Sequence, residues 1–311
     1  MGAAVPDGQP GEWKLLFCER SVTISRWLLA ILASILLLEP VWAQPGRPAA
    51  GQKLSVPSLD RADGQALKLD GWWYPAAVEG PAPVVLMLHG CAGMLNARGE
   101  PNLRTQEYTA LVNAHGWHAL VLDSLTPRGE KEICTQRIGT RRVTQTERRR
   151  DALGAFQWLA AQPGVDASRI ALLGWSHGGS AVLAATNLNH PDGAGPAGRP
   201  RVAVAFYPGC EADLKRGYRP STEALLMVGL ADDWTPAAPC QALAREGPPP
   251  VTVLAWEGAY HGFDGTAPVR HRADVPNGAN PGQGVHLGGH PEARQASQQA
   301  MVGTLERAFG R

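Results

Sequence analysis

Apolar and polar residues follow two different periods along this chain. Continuous apolar runs are typical of strands covered on both faces, whereas apolar residues that recur every three or four positions predict amphipathic helices. The predicted buried strands lie at 83–88, 117–122, 169–175, 202–207, 224–228 and 251–256. The predicted helices lie at 103–114, 147–162, 180–186, 236–245 and 291–308. Because strands and helices alternate, the pattern predicts an α/β fold with a mostly parallel sheet and helices on both faces.

Other segments complete the predicted organisation. Residues 53–59 and 66–74 are extended runs joined by a segment that ends in Asp63-Gly64, a turn sequence that favours an antiparallel hairpin at the sheet edge. The segment 125–146 is long and polar and lacks strong periodicity, and the segment 264–289 is rich in glycine and proline. Connections as long as 125–146 are usually functional or form lids.

The N-terminus has the pattern of a targeting segment. A basic residue precedes an uncharged apolar run at 27–38, and small residues precede Gln44 at a possible cleavage point. This pattern is typical of a secretory signal, and the run is short for a membrane span. We therefore predict a signal peptide with an extended leader at 1–43, a tether at 44–52 and one α/β domain at 53–311, either periplasmic or secreted. The alternatives are an uncleaved membrane anchor and a start codon placed too early.

Composition narrows the classes of partner. Of the 311 residues, 44% are hydrophobic and 18% are charged, which suits one large core in a single domain. The 29 basic and 28 acidic residues leave no net field that would attract nucleic acid or, after signal removal, an anionic membrane surface. A small neutral or modestly charged molecule is therefore the expected partner, and the sequence does not indicate an oligomeric state.

Cysteine usage agrees with export. With Cys18 in the leader, four of the five cysteines remain, an even number that permits two disulfides in an oxidising compartment. No pair has the Cys-x-x-Cys spacing of a zinc or redox motif, and three pairings are possible in principle. We predict Cys91–Cys134 and Cys210–Cys240, because both members of each pair lie on loops or helix starts at the carboxyl ends of predicted strands.

A serine stands at a sharp turn between a predicted strand and a predicted helix. Ser176 lies in the sequence Gly174-Trp175-Ser176-His177-Gly178, which directly follows a buried apolar run. Strand and helix pass so closely at such a turn that the residues two before and two after the serine must lack side chains. Both positions are glycine, so the motif predicts a nucleophile elbow. A glycine-rich connection with an incidental serine is the alternative explanation.

Two further strand ends supply an acid and a base. Asp232 follows the strand at 224–228, and His261 follows the strand at 251–256. Ser176, Asp232 and His261 therefore have the chain order of an α/β-hydrolase triad, in which the imidazole takes the serine proton and the carboxylate orients the imidazole. Asp232 is preferred to Asp233 because it comes sooner after the strand, which leaves Asp233 to cap the helix near Pro236.

Backbone amides near the serine are candidates for an oxyanion hole. We predict that the N–H groups of His177 and Cys91 form it, with Ala92 as the alternative to Cys91, and that the side chain of His177 lines the pocket. Three histidines in the glycine-rich C-terminal part lack a carboxylate cluster around them, so we predict no metal site there. They are His271, His286 and His290.

Six segments, taken in this order, carry a resemblance to a known family. They are LHGCAG (88–93), LDSLTPRG (122–129), ERRRDALGAFQWL (147–159), GWSHGG (174–179), GLADDWTPAAPC (229–240) and YHGF (260–263). The set resembles the dienelactone hydrolase family of α/β hydrolases over about residues 54–309. The resemblance implies an eight-stranded sheet, an acyl-enzyme mechanism without a cofactor, and Asp232 as the acid.

The chain also departs from this family's pattern. Dienelactone hydrolase itself uses a cysteine nucleophile, where this chain has Ser176. The family holds its substrate carboxylate with two arginines, of which Arg128 matches one, whereas Gly265 stands where the second would be. We therefore expect broader selectivity than a strict dienelactone site has.

Together these features predict a serine hydrolase that cleaves small carboxylic esters or lactones. The predicted substrate contacts are Arg128, Trp234, Tyr260 and Phe263. Aromatic walls favour a small apolar or aryl group, and an arginine can bind a carboxylate with two hydrogen bonds. A structural salt bridge is the alternative role for Arg128. The alternative functions are a serine peptidase of the prolyl-oligopeptidase type and a non-catalytic binding protein on a hydrolase scaffold.

Overall fold

The computed structural model describes residues 51–62, 64–193 and 198–310. The predicted signal peptide and its cleavage point near Gln44 lie outside these residues, as does most of the predicted tether. The first strand begins at Gln52, one residue inside the predicted tether. Within the described part of the chain, no helix is both long and apolar enough to cross a membrane.

Eight strands form one sheet, in the order β1-β2-β4-β3-β5-β6-β7-β8. Their bounds are β1 Gln52–Ala62, β2 Gln65–Tyr74, β3 Ala82–Leu88, β4 His118–Asp123, β5 Val165–Trp175, β6 Val202–Phe206, β7 Ala224–Gly229 and β8 Val251–Trp256. The first strand pairs antiparallel with β2, and β2 pairs antiparallel with β4. All other neighbours in this sheet are parallel. The predicted mainly parallel α/β-hydrolase sheet with an edge hairpin is therefore confirmed.

Helices cover both faces of the sheet. They are α1 Leu103–Ala114, α2 Gln145–Ala160, α3 His177–Thr186, α4 Glu211–Lys215, α5 Ala237–Gln241 and α6 Pro291–Phe309. Apolar side chains of α2 and α3 pack into the core on one face, and those of α1 and α6 pack into the core on the other. The central strand β3 is buried along its whole length: Val84, Leu86 and Leu88 face the first core, and Val85 and Met87 face the second. This arrangement explains the unbroken apolar run in its sequence, because both faces are covered.

Several elements differ from their predicted bounds. Helix α5 has only five residues rather than the predicted ten, because Arg245 already pairs with Val251 in an antiparallel bridge. Helix α3 begins directly after the elbow serine rather than at Ser180. Helix α4 and a small hairpin, β9 Arg270–Arg272 and β10 Val285–Leu287, were not predicted. These elements are three to five residues long, too short for hydrophobic periodicity to detect.

Both predicted disulfides are present. Cys91 is joined to Cys134, and Cys210 is joined to Cys240. The first disulfide lies in a small buried apolar cluster against which Trp234 packs. It thereby ties the turn after β3 to the long segment between β4 and α2.

The two disulfides are expected to differ in their effect on activity. Replacing either pair with serines should lower the free energy of unfolding by about 2–4 kcal/mol, because a cross-link limits the unfolded chain. Only the Cys91→Ser/Cys134→Ser variant should also lower kcat for ester hydrolysis, since Cys91 follows Gly90, which lies beside Ser176, the predicted nucleophile. Urea titrations and kinetics of both double variants test this, with Cys210→Ser/Cys240→Ser as the matched control. An equal loss of kcat in both would contradict it.

Candidate active site

The turn at Ser176 has the strained geometry of a nucleophile elbow. Ser176 has φ 54° and ψ −118°, a backbone conformation that non-glycine residues rarely adopt. A Cβ atom at Gly174 would lie 2.4 Å from the carbonyl oxygen of Gly178, and one at Gly178 would lie 2.0 Å from that of Leu88. Side chains at either glycine would therefore force the strand and helix apart, as the sequence motif predicted.

The structure brings the predicted serine, histidine and aspartate together. The Oγ atom of Ser176 lies 2.9 Å from Nε2 of His261, and Nδ1 of His261 lies 2.8 Å from Oδ2 of Asp232. The side chain of Asp232 is fully buried and that of His261 is 5% exposed. The imidazole can thus accept the serine proton at Nε2 while its Nδ1–H donates to the carboxylate.

Further hydrogen bonds hold Asp232 in place. Its Oδ1 atom accepts from the backbone N–H groups of Trp234 and Thr235, both at 2.8 Å. The hydroxyl of Thr235 lies 2.9 Å from Asp232 Oδ2, 3.1 Å from His261 Nδ1 and 3.0 Å from the carbonyl oxygen of Tyr207. Thr235 was not predicted as a site residue. A threonine three positions after an aspartate is common in turns, so this spacing gave only a weak indication that Thr235 contacts the acid.

Asp233 has a different role from the predicted helix cap. Its Oδ2 atom lies 2.7 Å from Nδ1 of His286, and its Oδ1 atom accepts from the backbone N–H of His286 at 2.8 Å. Helix α5 begins at Ala237, and its N-cap residue, Pro236, makes no side-chain capping hydrogen bond. Asp233 instead attaches the 264–289 segment to the loop that carries Asp232, so the capping prediction was wrong.

Two aromatic rings enclose the imidazole of His261. The ring centroids of Tyr207 and Trp234 each lie 4.6 Å from that of His261. Tyr207 is itself strained, with φ 38°, and its hydroxyl donates to Asp264 Oδ1 at 2.7 Å. Asp264 is fully buried in a two-bonded ion pair with Arg104, and although burial raises the pKa of Asp264, that arginine and the hydrogen bonds lower it on balance. Tyr207, which sequence reasoning missed, therefore connects His261 to a rigid ion pair.

Candidate oxyanion donors lie next to the serine. A Cβ atom at Gly90 would lie 3.6 Å from Cβ of Ser176, which places the turn containing Cys91 beside the nucleophile. Among the described residues, the backbone N–H groups of His177, Cys91 and Ala92 have no hydrogen-bond acceptor. Both predicted donors are thus free to bind a negatively charged oxygen, and the choice between Cys91 and Ala92 stays open.

Arg128 does not occupy the predicted position of a substrate clamp. Its Nη1 atom donates to Asp151 Oδ2 and to the carbonyl oxygen of Ser124, and its Nη2 atom donates to Asp151 Oδ1 and Asp60 Oδ2. The side chain is 12% exposed and that of Asp151 is fully buried. A substrate carboxylate would have to compete with two carboxylates already bound. The structure therefore favours the salt-bridge role over the predicted substrate contact.

Removing Arg128 is expected to affect stability rather than selectivity. Arg128→Ala leaves the charge of Asp151 buried without its cation, which should cost about 3–5 kcal/mol of unfolding free energy. Arg142 is the control, because it is 74% exposed, forms its ion pair with Glu130, and otherwise donates only to the backbone carbonyl of residue 128 among the described residues, which Arg128→Ala keeps. Arg142→Ala should cost at most about 1 kcal/mol. At a temperature where the variant stays folded, kcat/KM should change by the same factor for neutral and carboxylate-bearing esters. A selective loss on the charged esters would restore the clamp.

The predicted aromatic contacts separate into two groups. Phe263 is fully buried and packs against Phe206, Tyr207 and Trp256, so its predicted contact with substrate was wrong. Trp234 and Tyr260 are partly exposed and flank the acid and the base. The histidines considered as metal ligands have other contacts: His286 binds Asp233, His271 contacts the carbonyl oxygen of Gln283, and His290 caps α6. Within the described residues, no group of three or more side chains could hold a metal ion.

Known proteins share this fold and sequence pattern. An uncharacterized protein of Mycobacterium tuberculosis is 26% identical over 261 residues, which cover 75% of this chain and 86% of that protein. A crystal structure named for a dienelactone hydrolase from Klebsiella pneumoniae superposes with a TM-score of 0.58 at 17% identity, covering 82% of this chain and 97% of that one. Esterase 2 of Thermogutta terrifontis, phosphorylated by paraoxon, gives a TM-score of 0.54 at 17% identity, covering 84% and 95%.

The sequence match to the family is more specific than the shared fold. The model of the dienelactone hydrolase family matches residues 71–308, which contain six of the eight sheet strands, the end of a seventh, β2, and the three residues that meet at the elbow. The chain belongs to the dienelactone hydrolase family.

Proposed function

We propose that this protein is a serine hydrolase that cleaves small carboxylic esters or lactones through an acyl-enzyme intermediate. The observation that supports this most directly is the continuous path from Ser176 Oγ through His261 to Asp232, with distances of 2.9 and 2.8 Å. Such a path lowers the barrier to attack because the imidazole removes the hydroxyl proton as the new bond forms.

The first half of the reaction acylates the serine. Ser176 Oγ attacks the ester carbonyl carbon while its proton passes to Nε2 of His261, and the carbonyl oxygen becomes an oxyanion held by the N–H groups of His177 and Cys91. The Asp232 carboxylate stabilises the resulting imidazolium, and the rings of Tyr207 and Trp234 hold the imidazole in place between them. When the intermediate collapses, the carbon–oxygen bond to the alcohol breaks and His261 gives its proton to that alcohol.

The second half regenerates the enzyme. A water molecule gives a proton to His261 and attacks the acyl carbon, and the oxyanion forms again at the same two N–H groups. Collapse breaks the bond to Ser176, which recovers its proton from His261 as the carboxylic acid leaves. The chain's own residues account for each proton transfer.

The surroundings of the triad support small substrates. Asn277 accepts a hydrogen bond from the N–H of Ile138 and donates one to the carbonyl oxygen of Gln136, which joins the two long segments to each other. The disulfide cluster further holds Trp234 beside His261. A site bounded by linked loops and aromatic rings suits short acyl or aryl groups. We therefore expect turnover to fall as the acyl chain lengthens, with weak dienelactone activity.

Covalent labelling followed by a substrate panel tests the proposal. A fluorophosphonate should modify wild-type protein at Ser176, and peptide mass mapping should find the label there and nowhere else. The panel contains 4-nitrophenyl esters of graded acyl length, a dienelactone and an aminoacyl 4-nitroanilide. Anilide hydrolysis without ester hydrolysis would indicate a peptidase. The absence of both labelling and turnover would indicate a binding protein.

We also propose that the protein is exported. Two disulfides are compatible with an oxidising compartment. Expressed in a bacterial host, the protein should be recovered from the periplasm or medium with an N-terminus near Gln44 and without free thiols. Intact mass before and after alkylation measures both properties. Recovery of an uncleaved chain from the cytoplasm, with four free thiols in residues 44–311, would contradict the proposal.

A further inference from the structure

Arg148 on α2 is a fully buried cation with an unusual set of contacts. Its Nη1 atom lies 3.2 Å from Nδ1 of His177, the residue directly after the nucleophile. Its Nε and Nη2 atoms have no hydrogen-bond partner among the described residues, and its exposed fraction is zero. Within the described residues, His177 is thus the only hydrogen-bonding partner of this guanidinium. A buried cation is costly, so this single contact is a strong constraint on the site.

The contact determines where His177 carries its proton. A guanidinium has only donor groups and keeps its charge in proteins. Nδ1 of His177 must therefore be the acceptor, which leaves the ring proton on Nε2 in the neutral form. Nε2 is thus a hydrogen-bond donor, set by Arg148 rather than by solvent.

The charges that face His177 keep the ring neutral. The pKa of His177 is held well below its ordinary value, first by burial and then by the positive charges of Arg148 on α2 and Arg141 in the segment before α2. His89, after β3, adds a smaller effect in the same direction, and its own pKa is lowered to about 3, first by burial and then by Arg148. Burial and charge therefore act in the same direction, and both favour the neutral ring.

The Nε2 atom of His177 is an unpaired donor among the described residues. Nε2 of His177 has no partner among the described residues, yet it is not among their fully buried unpartnered atoms. Nε2 is therefore not completely enclosed, although His177 as a whole is only 6% exposed. Because His177 follows Ser176 directly in the chain, its ring starts one residue from the group that a bound substrate must approach.

We propose that the Nε2–H group of His177 donates a hydrogen bond to an oxygen atom of the bound substrate, and that Arg148 is the positioning residue that fixes this tautomer. The proposal rests on the proposed ester hydrolysis. It assigns the His177 side chain a role separate from its backbone N–H group. The complementary ligand is an ester with an acceptor oxygen in its acyl or alcohol part, because a neutral N–H donor binds an acceptor oxygen and the positive charges of Arg148 and Arg141 act on the same ring.

The tautomer is measured without any reaction. Nitrogen-15 spectra of histidine-labelled wild-type protein should show His177 neutral and protonated at Nε2 from about pH 5 to about pH 8. The His177→Gln spectrum assigns its signals by their loss. Arg148→Lys keeps a donor and should keep the tautomer, whereas Arg148→Met should give a mixture of both tautomers. Protonation at Nδ1 in the wild type would overturn the proposal, and so would an Arg148→Met spectrum identical to that of the wild type. If neither Arg148 variant folds, the wild-type tautomer decides.

Kinetics test the contact with substrate. His177→Phe removes the donor and should lower kcat/KM for 4-nitrophenyl esters by about 3- to 10-fold, as expected for one lost hydrogen bond. His177→Gln supplies an amide N–H and should recover most of that loss, which a purely structural role would not do. Equal kcat/KM for His177→Phe and wild type would overturn the proposal.

A third readout separates this proposal from the proposed function. The Nε2–H signal of His177 should shift when a fluorophosphonate labels Ser176, because the adduct places acceptor oxygens at the site. Protein that is not labelled and does not hydrolyse esters would refute the proposed function and, with it, the substrate contact, while the tautomer spectra would still report on Arg148. Labelled protein with an unchanged His177 signal would refute the contact alone.

Discussion

Ser176→Ala is expected to lower kcat for ester hydrolysis by about 10⁴- to 10⁶-fold, because removal of a nucleophile leaves only the oxyanion and binding contributions. The fold should not change, since the Oγ atom contacts only His261 among the described side chains. The elbow backbone should tolerate alanine as well as serine, because the two side chains share the same Cβ atom and alanine lacks only the Oγ atom. Steady-state assays with a short-chain ester measure kcat, and circular dichroism shows whether the fold is kept.

The same variant also tests covalent chemistry. It should lose fluorophosphonate labelling completely while keeping its melting temperature close to that of the wild type. Residual activity that comes from trace wild-type protein is recognised because the fluorophosphonate would abolish it. A Ser176→Ala protein that hydrolyses esters near the wild-type rate would show that another group is the nucleophile.

The second large effect is expected from the pair of neighbouring aspartates. Asp232→Asn should lower kcat by about 10³- to 10⁴-fold, because an amide can present its N–H to the imidazole and so favour the wrong tautomer. Asp233→Asn is the matched control, with the same chemical change one residue later. The Asp233→Asn change alters the contact between the Asp233 side chain and His286. The His286 side chain is 43% exposed, so this contact contributes little, and kcat should stay within about 3-fold of wild type.

The order of these two effects is the decisive measurement. Both variants are compared with the same ester at a pH where wild-type activity is maximal, and thermal unfolding confirms that each is folded. A small effect of Asp232→Asn combined with a large effect of Asp233→Asn would reassign the acid. Large effects of both would instead show that the 264–289 segment, which Asp233 attaches, takes part in positioning the triad.

The sequence alone determined the layers of the fold and the position of the candidate nucleophile, Ser176. Strand β3 and residues 170–175 of β5 are buried on both faces, so their apolar runs are unbroken and easy to detect. The elbow can also be detected from local sequence, because the two glycines that its close packing requires, Gly174 and Gly178, lie within five consecutive residues. The chain order of serine, aspartate and histidine needed only the rule that parallel strands bring their carboxyl ends to one edge. The cysteine pairs followed from the same rule.

Only the tertiary structure decided the roles of charged and aromatic side chains. Arg128 is paired with Asp60, 68 residues away in sequence, and no local pattern reports such a partner. Phe263 lies two residues after His261, yet it is fully buried in the core, within a turn closed by the hydrogen bond from Gly265 N–H to the carbonyl oxygen of Gly262. Arg148 contacts His177 across 29 residues and between two helices. Burial and pairing of this kind arise from packing between distant elements, so hydrophobic periodicity and motif spacing contain no information about them.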